Sequence, residues 1–219
     1  MGETPAGVFV TGTGTEVGKT VVAAALAHTL ASEGRAVNVF KPAVTGLDED
    51  GEADHELLRR AAGSAQGDDE IAPYRYGPPA SPHLAAELAG EEIEPARLLA
   101  AARAAAAGAD ELVCEGVGGL MVPLSPGYLV RDFAVDLGLP LAVASSPGLG
   151  TINHTLLTIE AARGAGLEVA AVVLTPWPED PGGIERSNLE TIAALGDVRV
   201  ETLPRLDLGR PGSWPALSR

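Results

Sequence analysis

The sequence predicts an α/β fold built on a parallel sheet with helices on both faces, and three observations predict it. Short, wholly apolar strand patterns alternate with helical patterns from end to end of the chain. The first strand runs into a glycine-rich turn, Gly12-Thr13-Gly14-Thr15-Glu16-Val17-Gly18-Lys19-Thr20, at the head of a helical pattern. A later apolar run, Leu112-Val113-Cys114, ends on an acidic residue, Glu115. Ligands of such sheets bind outside the carboxyl ends of the strands, which puts Thr11, Lys41, Glu115, Ser145 and Thr175 along one rim.

In chain order, residues 8–11 read as a strand and residues 18–32 as a helix. Val22, Leu26 and Leu30 recur every fourth position there, and Gly34 stops the helix. Residues 36–40 form a second strand that delivers Lys41-Pro42. The acidic, glycine-containing stretch 48–54 is a loop, followed by a short helix through Leu57 and Leu58. Residues 63–82 are rich in Gly, Pro, Asp and Ala, which predicts a long excursion outside the core. Helical patterns resume at 84–88 and 95–107. Residues 111–114 are a buried strand, and Gly116-Val117-Gly118-Gly119 a turn. Helices at 130–137, 151–163 and 183–195 then alternate with strands at 139–144, 169–174 and 198–203. One nucleotide-binding domain over residues 1–219 is the expected organisation.

Composition narrows the partners. The hydrophobic fraction is 46% but only 4% is aromatic, so the core must be built from Ala, Val and Leu. A net charge of −15 repels polyanions, which argues against a nucleic-acid or anionic-membrane partner. Against that background the lysines are scarce: Lys19 and Lys41 are the only two, and every other basic residue is Arg. The single cysteine, Cys114, excludes an internal disulfide and a cysteine-based zinc site, and reads as a small core residue. With no signal peptide and no apolar run of spanning length, a reduced cytoplasmic setting is expected.

The glycine turn is a phosphate-binding loop, one residue longer between its glycines than the usual spacing. Its backbone N–H groups face one anion, Lys19 neutralises terminal phosphates, and the Thr20 hydroxyl can hold Mg²⁺. Glu115 is the matching acidic partner for that cation. By position alone, Asp54 reads equally well as solvated charge or as a third ligand. Lys41 ends a strand on the same rim as Lys19, where two cations stabilise an anion between them. The glycine turn before Thr151 leaves free N–H groups at a helix start; by spacing alone, ordinary capping by Thr151 accounts for it. His28, His55, His83 and His154 show no ligand pattern.

The runs VTGTGTEVGKT (10–20), KPAVTG (41–46), SPH (81–83), EGVGG (115–119) and LGTINHTLLT (149–158) resemble the dethiobiotin synthetase family in register over nearly the whole chain. The longer loop spacing is that family's own. The resemblance implies a single-domain phosphate-loop NTPase fold of the nitrogenase-iron-protein-like type and a homodimer with substrate near the subunit interface. It implies ATP as co-substrate, Mg²⁺ as cofactor, and 7,8-diaminononanoate with CO₂ or bicarbonate as substrates. It implies that Lys19 and Lys41 flank the reacting carbamate and γ-phosphate, that Thr15 helps orient the carbamate, and that Thr20, Asp54 and Glu115 hold Mg²⁺. Nucleotide contacts fall on Gly12, Glu16, Val17, Gly18, Lys19, Thr20, Val21, Asp54, Glu115, Gly116, Val117 and Gly118, with Thr175, Pro176, Pro204, Arg205 and Leu206 around the base. Thr45 stands where the family often has Ser, and the resemblance implies that its hydroxyl binds substrate. Gly150, Thr151 and Asn153 take the substrate carboxylate from across the dimer, which reverses the capping reading of that helix start.

One departure bears on specificity. Where many members carry Asn-Asp for the adenine ring, this chain has Thr175-Pro176, so the amide that could pair with adenine's edge is missing and a looser choice of base is expected. A regulatory or partitioning ATPase of the same superfamily is the rival class. Such proteins usually carry an extra lysine at the start of the phosphate loop, and this chain has threonine and glycine there.

Overall fold

The computed structural model describes residues 6–218. The strands are β1 (Gly7–Gly12), β2 (Val37–Phe40), β3 (Glu111–Gly119), β4 (Pro123–Ser125), β5 (Tyr128–Leu129), β6 (Leu141–Ser145), β7 (Val169–Trp177) and β8 (Arg199–Pro204). The helices are α1 (Lys19–Ser32), α2 (Asp54–Ala62), α3 (Asp68–Ile71), α4 (Pro82–Ala89), α5 (Pro95–Ala107), α6 (Val130–Leu137), α7 (Thr151–Gly164) and α8 (Gly183–Gly196). Six strands form one sheet in the order β2-β3-β1-β6-β7-β8, and every pairing in it is parallel. β4 and β5 make a small separate hairpin that the sequence reading did not anticipate.

Alternation along the strands builds two cores. Val8 and Val10 join Val39, Val113, Ala144 and Val173 in a layer with α1 and α2. Phe9, between them, points the other way, into a layer with Phe40, Cys114, Phe133 and Ile159. Phe133 of α6 meets the Phe9 ring edge-on at 6.0 Å and the Phe40 ring at 6.1 Å. Both faces are covered, as the unbroken apolar strands require. Cys114 is fully buried, as read.

The order of strands decides where a ligand can go. From β1 the chain steps out to β2, returns through β3 beside β1, then crosses to β6 on the other side of β1. The strand order therefore reverses at the carboxyl end of β1, where the phosphate loop begins.

Three expectations need correction. Residues 63–82 are not outside the core: Ile71, Ala72, Tyr74 and Tyr76 are at most 5% exposed. Their backbone runs beside residues 41–44, with Lys41 N–H donating to the Ile71 carbonyl (2.8 Å) and Val44 N–H to the Tyr74 carbonyl (2.9 Å). The Gly/Pro content bends this segment, and its few large apolar side chains still anchor it. Secondly, the turn expected at 116–119 is a continuation of β3, with Gly119 in register with Gly12. Thirdly, β7 runs past Leu174 to Trp177, so Thr175 and Pro176 lie within the strand, joined by a cis peptide bond.

Candidate active site

The loop between β1 and α1 is shaped by its glycines. Gly18 is left-handed (φ 86°), and a Cβ there would lie 2.6 Å from the Thr175 methyl. At Gly12 a Cβ would meet Val17 at 2.7 Å and Lys19 at 2.9 Å. Only glycine lets the loop close this tightly beneath the start of α1. Glu16 is also left-handed (φ 59°), an uncommon conformation for a residue with a side chain. The Lys19 ammonium arches over the loop and donates to the Gly14 carbonyl at 2.9 Å.

Four further side chains converge beside this loop from separate elements. The Thr20 hydroxyl, in the first turn of α1, lies 3.0 Å from Asp54 Oδ1 and 3.0 Å from Glu115 Oε1. Lys41, one residue past β2, puts its ammonium 2.6 Å from Glu115 Oε1 and 2.7 Å from Asp54 Oδ2. Lys41 is 3% exposed and Glu115 fully buried, so these contacts act in a low dielectric. The other Glu115 oxygen, Oε2, is buried with no hydrogen-bond partner.

The charges balance locally. Burial works against the Lys19 ammonium and lowers its pKa, with Lys41 adding to the effect and Glu115 opposing it. Burial works against Lys41 too, but Glu115 and Asp54 together outweigh it and its pKa rises. Lys41 is therefore a fixed cation. Burial would raise Asp54, and the pull of Lys41, Thr20 and Lys19 overcomes it to hold the carboxyl below its usual value. Glu115 is pulled up by burial and by Asp54, which Lys41 offsets only in part. Two carboxylates and a hydroxyl, with one Glu115 oxygen left without a partner, make a set of oxygen donors able to take a cation.

A cleft of about 820 Å³ opens over this cluster. Thr15, Glu16, Gly18, Lys19, Thr20, Val21, Lys41, Thr45, Asp54, Glu115, Val117 and Gly118 line it, so most of the anticipated site shares one cavity. Gly12 underlies the loop and Val17 packs half-buried on the α1 layer. Gly116 sits behind the cleft, against Val130 and Phe9. The base-flanking segments are neighbours: Trp177 pairs with Pro204, Thr175 touches Gly18, Pro176 and Arg205 are exposed, and Leu206 packs on the α1 layer. Gly150, Thr151 and Asn153 do not line this cleft. Gly150 and Asn153 are exposed, while the Thr151 hydroxyl turns inward to Ser145 at 2.8 Å.

Residue-by-residue reading missed part of the wall. Pro79, Ala80, Ser81 and Pro82 line the cleft, and the only signal for them was the SPH run. Glu49 and Asp50, read as loop charge, also line it.

A family model described as an AAA domain matches residues 6–207. The chain is 46% identical over 175 residues to the ATP-dependent dethiobiotin synthetase BioD of Anaeromyxobacter dehalogenans strain 2CP-1, covering 80% of this chain and 78% of that protein. Against the BioD proteins of Rhodococcus erythropolis and Bacillus subtilis strain 168 the identities are 40% and 34%, over 87% and 89% of this chain and 84% of each relative. The chain belongs to the dethiobiotin synthetase family. Two solved structures share the fold. One is the signal recognition particle 54 kDa protein of Aeropyrum pernix in complex with GDP (TM-score 0.51, 19% identity, 95% of this chain and 43% of that one). The other is the cell division protein FtsY of Thermotoga maritima (TM-score 0.53, 15% identity, 95% and 64%). In this dethiobiotin synthetase family member, no helix among the described residues is long and apolar enough to cross a membrane.

Proposed function

We propose that this protein converts 7,8-diaminononanoate, CO₂ and ATP to dethiobiotin, ADP and phosphate. The observation that carries the proposal is the buried Lys41 ammonium, held against Glu115 and Asp54, both of which meet Thr20 of the phosphate loop. Three separately encoded motifs thereby meet around one small volume. Membership of the dethiobiotin synthetase family supports the same reading. In the same reading the fold is of the nitrogenase-iron-protein-like type, with one nucleotide-binding domain working in a cytoplasmic homodimer.

In the proposed reaction one substrate amine attacks CO₂ and loses a proton, giving a carbamate. A carbamate oxygen displaces ADP from the γ-phosphorus, and the second amine attacks the carbamoyl carbon, expelling phosphate and closing the ureido ring. Two anions, carbamate and triphosphate, must be brought together. Lys41 and Lys19 reduce their repulsion, Thr15 orients the carbamate, and Thr45 offers the diamine a hydroxyl. The residues fit Mg²⁺: Thr20, Asp54 and Glu115 would supply oxygens, and Glu115 Oε2 has no other partner. When bound there, Mg²⁺ offsets charge on the β- and γ-phosphates. Gly150, Thr151 and Asn153 would receive the substrate carboxylate in the partner's site. That role agrees with their position outside this chain's own cleft.

Phosphate release tests the proposal. With Mg-ATP alone it should be slow; with bicarbonate and diaminononanoate both present it should rise steeply and match dethiobiotin formed. Release that ignores the diamine would refute the synthetase reading. The same assay with CTP, GTP and UTP tests the base site, where Thr175-Pro176 offers no amide. Turnover with several triphosphates is expected, and strict dependence on ATP would remove that idea.

A further inference from the structure

The turn between β6 and α7 faces solvent, with Leu149 94% exposed, yet two buried side chains hold it from beneath. Asn188 of α8 is 6% exposed, and its amide donates to the Pro147 carbonyl at 2.8 Å and the Gly148 carbonyl at 3.0 Å. The Gly148 carbonyl also accepts the Thr151 N–H at 3.3 Å. On the other side Ser145, 1% exposed, lies 2.8 Å from the Thr151 hydroxyl, 3.0 Å from Thr155 and 3.1 Å from Thr13 of the phosphate loop. Such anchoring does little for apolar packing, because the turn itself buries little. What it fixes is the direction of the N–H groups at the start of α7. Fixed donors at the positive end of a helix bind an anion at lower entropic cost than mobile ones.

We propose that Asn188, assisted by Ser145, is a positioning residue for the carboxylate end of the diamine. It touches no substrate and acts through the backbone of residues 147–151. The inference rests on the reading above that Gly150, Thr151 and Asn153 receive the carboxylate. Its consequence is selective: loss of the Asn188 amide loosens the grip on a diamine that bears a carboxylate and leaves one without it untouched.

The test compares kcat/KM for 7,8-diaminononanoate and for 2,3-diaminooctane, the same vicinal diamine lacking the carboxylate, in wild type, Asn188→Leu and Asn188→Asp. Both variants should lose about tenfold on the acid, mostly in KM, with 2,3-diaminooctane and Mg-ATP affinity unchanged. Asn188→Asp keeps the shape and removes the donors, so its loss should equal or exceed that of Asn188→Leu. A parallel fall for both diamines, or no fall for either, would overturn the inference. Ser145→Ala should show the same separation between the two diamines, which keeps the test open if an Asn188 variant fails to fold. Should wild type itself show no preference for the acid over 2,3-diaminooctane, the carboxylate reading falls first, and this inference with it.

Discussion

Lys41 is a cation with two carboxylates for neighbours and almost no contact with water. Holding an ammonium there is costly unless the charge is used, since a buried pair recovers its desolvation only with good geometry. Lys41→Gln removes the charge at similar length. The expected result is a fall in kcat of about a thousandfold, the scale of one lost electrostatic contact to a transition state. Mg-nucleotide affinity, read by calorimetry, should stay within about threefold, because the phosphate loop, Lys19 and Thr20 are untouched. An equal loss in nucleotide binding would mean that Lys41 serves the nucleotide and not the carbamate.

Among the elements, α1 has the least ordinary environment. It is apolar around most of its circumference, with Ala23, Ala24, Ala25, Leu26 and Ala27 all buried. The sheet covers one side and α2 another, and the chain after β8 closes the rest. Trp214 stacks edge-on against His28 at 5.5 Å and donates its indole N–H to the Asp207 carbonyl at 2.8 Å. Leu217 N–H donates to Thr29, and Arg60 of α2 to the Leu208 carbonyl. A 3₁₀ turn at Pro211–Ser213 carries the tail back onto α1. Trp214→Ala should cost about 2–3 kcal/mol of stability, below the range for a central aromatic because Trp214 sits at the margin of its layer. Urea unfolding reads that loss, and turnover per folded molecule should not change. An unaltered midpoint would show that the tail does not hold α1.

For the whole molecule, the proposed division of one active site between two protomers makes a sharp prediction. Lys41→Gln disables one half of each site, and Asn153→Glu, which sets a carboxylate against the substrate's own, disables the other. Each variant alone should be nearly inactive. After the two are mixed and allowed to exchange subunits, half of the dimers carry one intact site of two, so activity should return to about a quarter of wild type. No recovery despite demonstrated exchange would place both halves of the site in the same chain.

The chain's own letters determined a good deal. The apolar strands and helical periods specified the sheet and most element positions, because period and apolarity are local properties that each segment carries by itself. The phosphate loop was equally legible, since adjacent residues build it. Lys41 stood out by scarcity in a chain of net charge −15. The tertiary structure alone decided the rest. Thr20, Lys41, Asp54 and Glu115 meet only because the order β2-β3-β1 brings their elements side by side. By position alone Asp54 reads as solvated charge or as a ligand, and the fold sets its carboxylate 2.7 Å from Lys41. Tyr74 and Tyr76 enter the core from a stretch whose composition reads as loop. Asn188 holds a turn some forty residues earlier, a contact with no local signature. Local patterns tell each segment which face is apolar; which segments become neighbours is settled by the packing of all of them at once.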